Sequence, residues 1–312
     1  MNRLVLCIVA TLLLGLGTTV ASEKPIKNSW RLAKSVGPSG VNAASDVVTL
    51  QILLNQLVDI SSPDLKQRLL DPDGIWGPKT ATALSDFQET LFRQDARIVE
   101  SKCSESGPTI SALRKAVRAV PLRSRIQLVA HGELLYWRNG KRQERDPEVS
   151  ARLRQYWLSV GIDRPELDMQ STEFQSEYPW SAAFVSWVMM RAGAGENFKY
   201  AASHWRYTAA AKTNREEKLK SPFYTYRPEE KPLEPASIVV KRRSSSTATY
   251  DNVQLGHPTH GDIVVGFDGD EVLTIGGNVS NSVRITRFAI DSSKYIDTPF
   301  HFAVILVREG AQ

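Results

Sequence analysis

Residues 179–193, PWSAAFVSWVMMRAG, decide how this chain is read. Pro179 ahead of Trp180 opens a helix, and Ser181, Phe184, Val185 and Val188 recur at helical spacing on a side that must be buried. A small polar residue in the first turn of such a helix needs a reason. Helix N-termini offer free backbone N–H groups and the positive end of the dipole to whatever chemistry sits there. Ser181 is therefore either a capping residue, a role for which Ser is among the preferred types, or a reacting hydroxyl.

Downstream, FKYAASHWRYTAAAK predicts a short helix carrying His204 and Tyr207, and a charged, proline-rich stretch runs on to Pro235. The sequence leaves the role of the insert 206–235 open, a lid over a groove being one reading. The pattern then changes: ASIVV, DIVVGF, EVLTIGG, SVRITRF and FHFAVILV are short β-branched runs separated by Gly, Asp and Asn turns, which predicts an antiparallel sheet. Helices first and strands afterwards imply an α+β domain and not alternating βαβ units.

Upstream, a helix from Arg123 to Arg138 buries Ile126, Val129, Ala130 and Leu134, with His131 and Glu133 facing solvent or a domain seam. A second helix starts at Asp146-Pro147 and stops at Gly161. The first residues read as an export signal: Arg3, an apolar run from Leu4 to Leu16, and small residues Val20-Ala21-Ser22 suited to cleavage. That run is too short to favour a stable membrane span. The expected organisation is a signal (1–22), a linker (23–41), a compact three-helix unit (42–95), a helical connector (96–121) and an α+β domain (122–309), with the protein periplasmic or secreted. Cleavage leaves one cysteine, Cys103, which makes no internal disulfide and is expected in a polar loop.

Composition is that of a globular chain, 42% hydrophobic and 23% charged, and loss of Arg3 with the signal lowers the formal charge from +5 to +4. Mild basicity suits an anionic envelope polymer, and no basic stripe with interleaved aromatics argues for nucleic acid. No Cys and His grouping has zinc spacing and no glycine-rich loop follows a strand, so neither a metal nor another cofactor is expected.

Within the three-helix unit, Val47, Leu50, Leu53, Leu54 and Leu57 share a face of a helix at Asp46–Val58 capped by Ser45 or Asp46, Asp73-Gly74 makes a tight turn, and Pro78 leads a helix turning Thr80, Ala83, Leu84 and Phe87 inward. LQILLNQL followed by DGIWGPKTATALSDFQ is similar to the small peptidoglycan-binding domain of exported cell-wall hydrolases: Leu50, Gln51, Asp73, Gly74, Gly77, Thr80, Ala83, Phe87 and Gln88 match its pattern. The gap between Leu57 and Asp73 is longer than in that pattern. The resemblance implies peptidoglycan as the partner, with Asp73, Trp76 and Thr80 as contacts to glycan or stem peptide.

Acyl transfer by a side-chain nucleophile needs a base within hydrogen-bond reach and a third group that orients the base. Ser181 starts the buried helix, His260 begins the strand HGDIVVGF and Asn278 ends the next strand at IGGN, so hairpin pairing would bring His260 and Asn278 together. Asn278 equally fits a turn that requires positive φ. PWSAAF followed by a strand-borne His and GGN resembles the NlpC-type and CHAP-type cell-wall peptidases and amidases, where the motif would read PWCAAF. From about Arg123 to Glu309 the chain resembles more closely the bacterial domain-of-unknown-function family 2272, through WSAAF, YAASH, HGDIVV and IGGNVSNSV.

These resemblances imply a papain-like α+β domain with Ser181, His260 and Asn278 catalytic and Trp180 and His204 lining the groove. Two departures stand out: Ser replaces Cys, and Ala236-Ser237 stands where relatives carry Gly-Asp. A serine hydroxyl depends wholly on its base during attack, whereas a cysteine supplies thiolate by itself. Two readings follow, a serine amidase or peptidase on a cysteine-peptidase fold, or a peptidoglycan-binding protein that has lost the chemistry.

Overall fold

A computed structural model describes residues 30–94, 102–163, 169–296 and 298–310. The expected export signal, linker residues 23–29, the last residue of the three-helix unit (95) and connector residues 96–101 lie outside the described residues. Four helices come first: α1 (Ala44–Asn55), α2 (Leu65–Arg68), α3 (Pro78–Gln94) and α4 (Pro108–Ala119). Then follow α5 (Leu122–Tyr136), α6 (Ser150–Leu158), α7 (Thr172–Glu177), α8 (Ser181–Arg191) and α9 (His204–Glu216). Six strands close the chain: β1 (Phe223–Tyr226), β2 (Ile238–Arg242), β3 (Thr259–Asp268), β4 (Glu271–Gly276), β5 (Arg284–Ala289) and β6 (His301–Val307). They form one antiparallel sheet in the order β1-β6-β2-β3-β4-β5, and the α+β class follows.

The N-terminal helices gather around Leu50, Leu53, Leu84, Ile110, Leu113 and Val117. The stretch expected as a connector thus supplies α4 to this core, because Ile110, Leu113 and Val117 fall on one face and are fully buried there. Cys103 also differs from expectation: it is buried, and its backbone makes an antiparallel bridge with Val36. Neither Ser45 nor Asp46 caps α1. Asp46 instead accepts from the backbone N–H groups of Ala33 and Lys34, fastening the incoming segment to the helix.

Helix α1 is buried on every side from Asp46 to Asn55, because Val48 and Ile52 join the core of the larger domain while Leu50 and Leu53 face the smaller one. The seam between the two is polar as well as apolar. Trp30 Nε1 and Gln56 Nε2 donate to the carbonyl of Arg191 at 2.8 and 3.3 Å, and the Arg191 guanidinium donates to Thr49 Oγ1 at 3.0 Å.

Glu133, expected at solvent or a seam, lies fully buried at the seam. It pairs with Arg152 and accepts from the Tyr156 hydroxyl, while Arg152 also donates to the carbonyl of Pro72 at 2.5 Å. Burial pushes the Glu133 carboxyl up and the Arg152 guanidinium pulls it back. The stretch 206–235 is no lid. It forms most of α9 and the edge strand β1, which pairs with β6 through Phe223↔Val307 to Tyr226↔Val304, and the Thr225 hydroxyl donates to the carbonyl of Thr208 at 2.9 Å. Four residues, FYTY, were too short a run to stand out among the charges and prolines around them.

Two outcomes follow for stability. Arg152→Met strands a buried carboxylate and is expected to cost about 3–5 kcal/mol, much of it recovered in Arg152→Met/Glu133→Leu, as read from urea unfolding midpoints. His131 and His301 are each pushed down to about 4 by burial. The unfolded chain therefore binds more protons than the folded one between pH 6.5 and 4. Stability is full above 6.5 and falls as pH drops toward 4, by up to roughly 3 kcal/mol per histidine, and a thermal melt series across that window checks it.

Candidate active site

Helix α8 has no exposed face: all eleven residues from Ser181 to Arg191 are buried, packed against α5, α6, β3 and β4. Trp180 occupies the N-cap position with no side-chain capping bond, so Ser181 is the first helical residue and not the cap. Its hydroxyl goes elsewhere. Ser181 Oγ lies 2.7 Å from Nε2 of His204, the first residue of α9. His204 Nδ1 is hydrogen-bonded in turn to the hydroxyl of Tyr207, one helical turn on.

Two devices hold α9 in place. Ser186, on the same helix as Ser181, accepts from Ala201 N at 3.1 Å and donates to Ala201 O at 3.0 Å, which pins the chain just ahead of His204. On the sheet side, a Cβ at Gly261 would sit 2.8 Å from the Tyr207 hydroxyl and 2.9 Å from His204 Nδ1, so only glycine lets the first turn of α9 lie against β3.

His260 and Asp262 flank that glycine. His260 Nε2 is 2.8 Å from Asp262 Oδ1, and Lys241 Nζ stands 3.8 Å from the other carboxylate oxygen. The His204 and His260 rings lie 5.2 Å apart between centroids. A Cβ at Gly276, on neighbouring β4, would fall 1.9 Å from Asp262 Oδ1, so a glycine there is what admits the carboxylate.

The cluster is deeply enclosed, with Ser181 at 2%, His204 at 4% and Asp262 at 1% exposure. Burial, reinforced by His260, drives His204 well below the ordinary histidine value, so its ring is neutral at neutral pH. Burial also drives Tyr207 well above the usual phenol range. A neutral imidazole has one N–H, which goes either from Nδ1 to the Tyr207 oxygen, with Nε2 accepting from Ser181, or from Nε2 to the Ser181 oxygen, with Nδ1 accepting from Tyr207; only the first readies the ring to take the serine proton. For Asp262, burial acts upward, but the charge and hydrogen bond of His260 outweigh it and hold the carboxyl at about 2.

The structure therefore brings together Ser181, His204 and Tyr207, with His260 and Asp262 alongside. Asp262 takes the place at His260 that the hairpin argument assigned to Asn278. Asn278 instead has φ 55° in the turn after β4, the conformation that the turn reading required. Trp180 is 1% exposed, stacks on Trp137 and donates to Glu144 Oε2 at 2.8 Å, which makes it core and not a groove wall. His204, read as lining the groove, is the direct partner of the serine.

In the N-terminal unit the matching residues hold one another. Gln51 Nε2 donates to Asp73 Oδ1, Ile75 O and Thr80 Oγ1, and Gln51 Oε1 accepts from Gly74 N at 3.0 Å. Thr80, 3% exposed, is spent on building this loop, whereas Trp76 is half-buried beside the exposed Ile75. Asp262 and Tyr207 carried sequence signals: His260 and Asp262 share a strand face at i and i+2, and His204 and Tyr207 a helix face at i and i+3.

Among the described residues no helix is long and apolar enough to cross a membrane. No curated protein and no solved structure matches the chain. Residues 144–306, which carry α8, His204, the His260–Asp262 pair and all six strands up to the last residue of β6, match one family along their whole length. The chain belongs to the bacterial domain-of-unknown-function family 2272, described as "Uncharacterized protein conserved in bacteria".

Proposed function

We propose that this protein is an exported cell-envelope hydrolase that cleaves an amide bond of the peptidoglycan stem peptide with Ser181 as nucleophile. The observation that carries the proposal is the 2.7 Å contact between Ser181 Oγ and Nε2 of a neutral, buried His204. A helix-borne nucleophile against an antiparallel sheet is also the arrangement of papain-like peptidases. The peptidoglycan assignment draws on the similarity of residues 42–95 to wall-binding domains.

In this mechanism Ser181 Oγ attacks the carbonyl carbon while its proton passes to His204 Nε2. In the reacting tautomer His204 Nδ1–H donates to the Tyr207 hydroxyl oxygen, and the Asp262 carboxylate favours the imidazolium that forms. The first-turn N–H groups of α8, ahead of the Phe184 N–H bond to Trp180 O, face the developing oxyanion. The imidazolium then protonates the leaving nitrogen, the C–N bond breaks, and water releases the acyl group from Ser181 with His204 again as base. Because Ser181 is 2% exposed, substrate entry requires the loops above it to part.

That same burial favours a second reading, a wall-binding protein in which the serine–histidine pair is a polar core without turnover. Incubation of the mature chain with purified peptidoglycan separates the two. Soluble fragments with a new amine terminus are expected from the wild type, with a loss of about 10³-fold or more in Ser181→Ala and His204→Gln. Binding without any release would leave only the second reading.

The pH profile is a further check. Turnover needs neutral His204, whose pKa lies well below 6.5, so kcat/KM is expected to stay flat from pH 8 down through 6.5 and to fall only in more acidic buffer. A limb centred at or above 6.5 would remove His204 as the base.

A further inference from the structure

The Ser181 cluster is closed, and the segments around it are fixed to different degrees. The turn after β4 is fastened: Asn281 O accepts from Glu144 N at 2.8 Å, and the Ser282 hydroxyl donates to Arg142 O at 2.5 Å. Gly277 in that turn packs so closely on α8 that a Cβ there would fall 2.5 Å from the Phe184 side chain. The loop between β2 and β3 is held quite differently.

That loop runs from residue 243 to residue 258, well beyond the roughly two to five residues of an ordinary hairpin connection. Both of its ends and its tip lie beside the cluster. It starts at Arg243, whose charge, behind burial and His260, contributes to the low value of His204, and it leads directly into Thr259 and His260. At its tip Gly256 rests on the indole of Trp205, the residue after His204, with the place of its absent Cβ 3.5 Å from the ring.

The first part of the loop is anchored. Ala248 and Tyr250 are buried, Arg227 donates to Asp251 at 2.5 Å, and the Tyr250 hydroxyl donates to Thr225 O at 3.4 Å. The second part is not. Among the described residues the hydrogen bonds of 253–258 stay within the loop: Leu255 N to Asn252 O, Gly256 N to Val253 O and Arg243 N to Pro258 O. Buried Val253 and the contact of Gly256 with Trp205 hold the segment down, while Gln254, Leu255 and Gly256 face solvent, Leu255 at 69% exposure. Lifting such a segment breaks no hydrogen bond to the body of the protein, which puts its opening among the least costly motions of the fold.

We propose that residues 253–258 are the lid of the Ser181 site, hinged at the Tyr250–Asp251 anchor and latched on Trp205, with the turn after β4 as the fixed wall. A lid of this kind reconciles the enclosure of Ser181 with access to it. The proposal concerns that access and does not depend on turnover at the serine.

Thiol labelling of Ser181→Cys with Ellman's reagent tests it, with the wild-type chain as the blank for Cys103. The introduced thiol is expected to react about a hundredfold or more slower than in the urea-unfolded chain. Adding Trp205→Ala, or replacing residues 254–257 by Gly-Gly, is expected to speed the reaction by about tenfold or more, whereas adding Ser282→Ala in the fastened turn leaves it unchanged. Near-UV circular dichroism identifies a variant that has not folded, and the shortened loop decides if Trp205→Ala is one. Reaction as fast as in the unfolded chain, no gain in a folded lid variant, or an equal gain in Ser282→Ala would overturn the proposal. The expected labelling pattern in a protein that releases nothing from peptidoglycan would overturn only the hydrolase reading.

Discussion

A helix with no exposed face is the constraint on which the rest of this structure depends. α8 is enclosed by α5, α6, β3 and β4, so its N-terminus opens inward and the hydroxyl of Ser181 must find its partner inside the protein. That partner is His204, and everything that positions His204 follows from the enclosure. Ser186 pins Ala201 to the same helix, and the bare backbone of Gly261 lets α9 close the gap against β3. A free hydroxyl at such a depth would forfeit its hydrogen bonds to water without compensation, so the pairing answers a structural demand as well as a chemical one.

The environment sets the protonation states as firmly as the geometry sets the contacts. Burial keeps His204 neutral and Tyr207 protonated, so the ring holds a single N–H, with Nε2 facing the serine and Nδ1 the phenol. A few ångströms away the His260–Asp262 pair behaves oppositely, since charge and hydrogen bonding hold the carboxyl ionised despite complete enclosure. One neutral imidazole and one carboxylate-paired imidazole, with rings 5.2 Å apart, give the cluster a polarity that runs from Asp262 toward Ser181.

The smaller helical unit is built into the larger domain and not merely tethered to it. α1 serves two cores at once, and the Glu133–Arg152 pair, Trp30 and Gln56 stitch the seam. The loop ahead of α3 centres on Gln51, whose amide joins the Asp73 turn to the start of α3, so the pattern read there in the sequence is answered by hydrogen bonds within the loop. Much of that pattern is therefore a recipe for a loop, and the side chains it leaves outward are Ile75 and, in part, Trp76.

Local patterns carried most of the fold. Helical spacing in α1, α3, α5 and α8, the change to β-branched runs after Pro235 and the helices-then-strands order determined an α+β chain, because each depends on neighbours within a few residues. Ser181 was marked by its place at the head of an apolar helix, and His260 by its place at the head of a strand. Which histidine meets the serine was beyond the reach of spacing. His204 lies 23 residues from Ser181, and its approach is set by the packing of α9 on Gly261 and the tether from Ser186, neither visible as periodicity. The same holds for β1, a four-residue edge strand that exists because β6 offers it a partner, and for Glu133, whose carboxylate is accommodated in the interior only because Arg152 and Tyr156 arrive from another helix. Sequence determined the elements through local sterics and burial; only tertiary packing decided which side chains share a compartment, since that depends on groups brought together from distant positions.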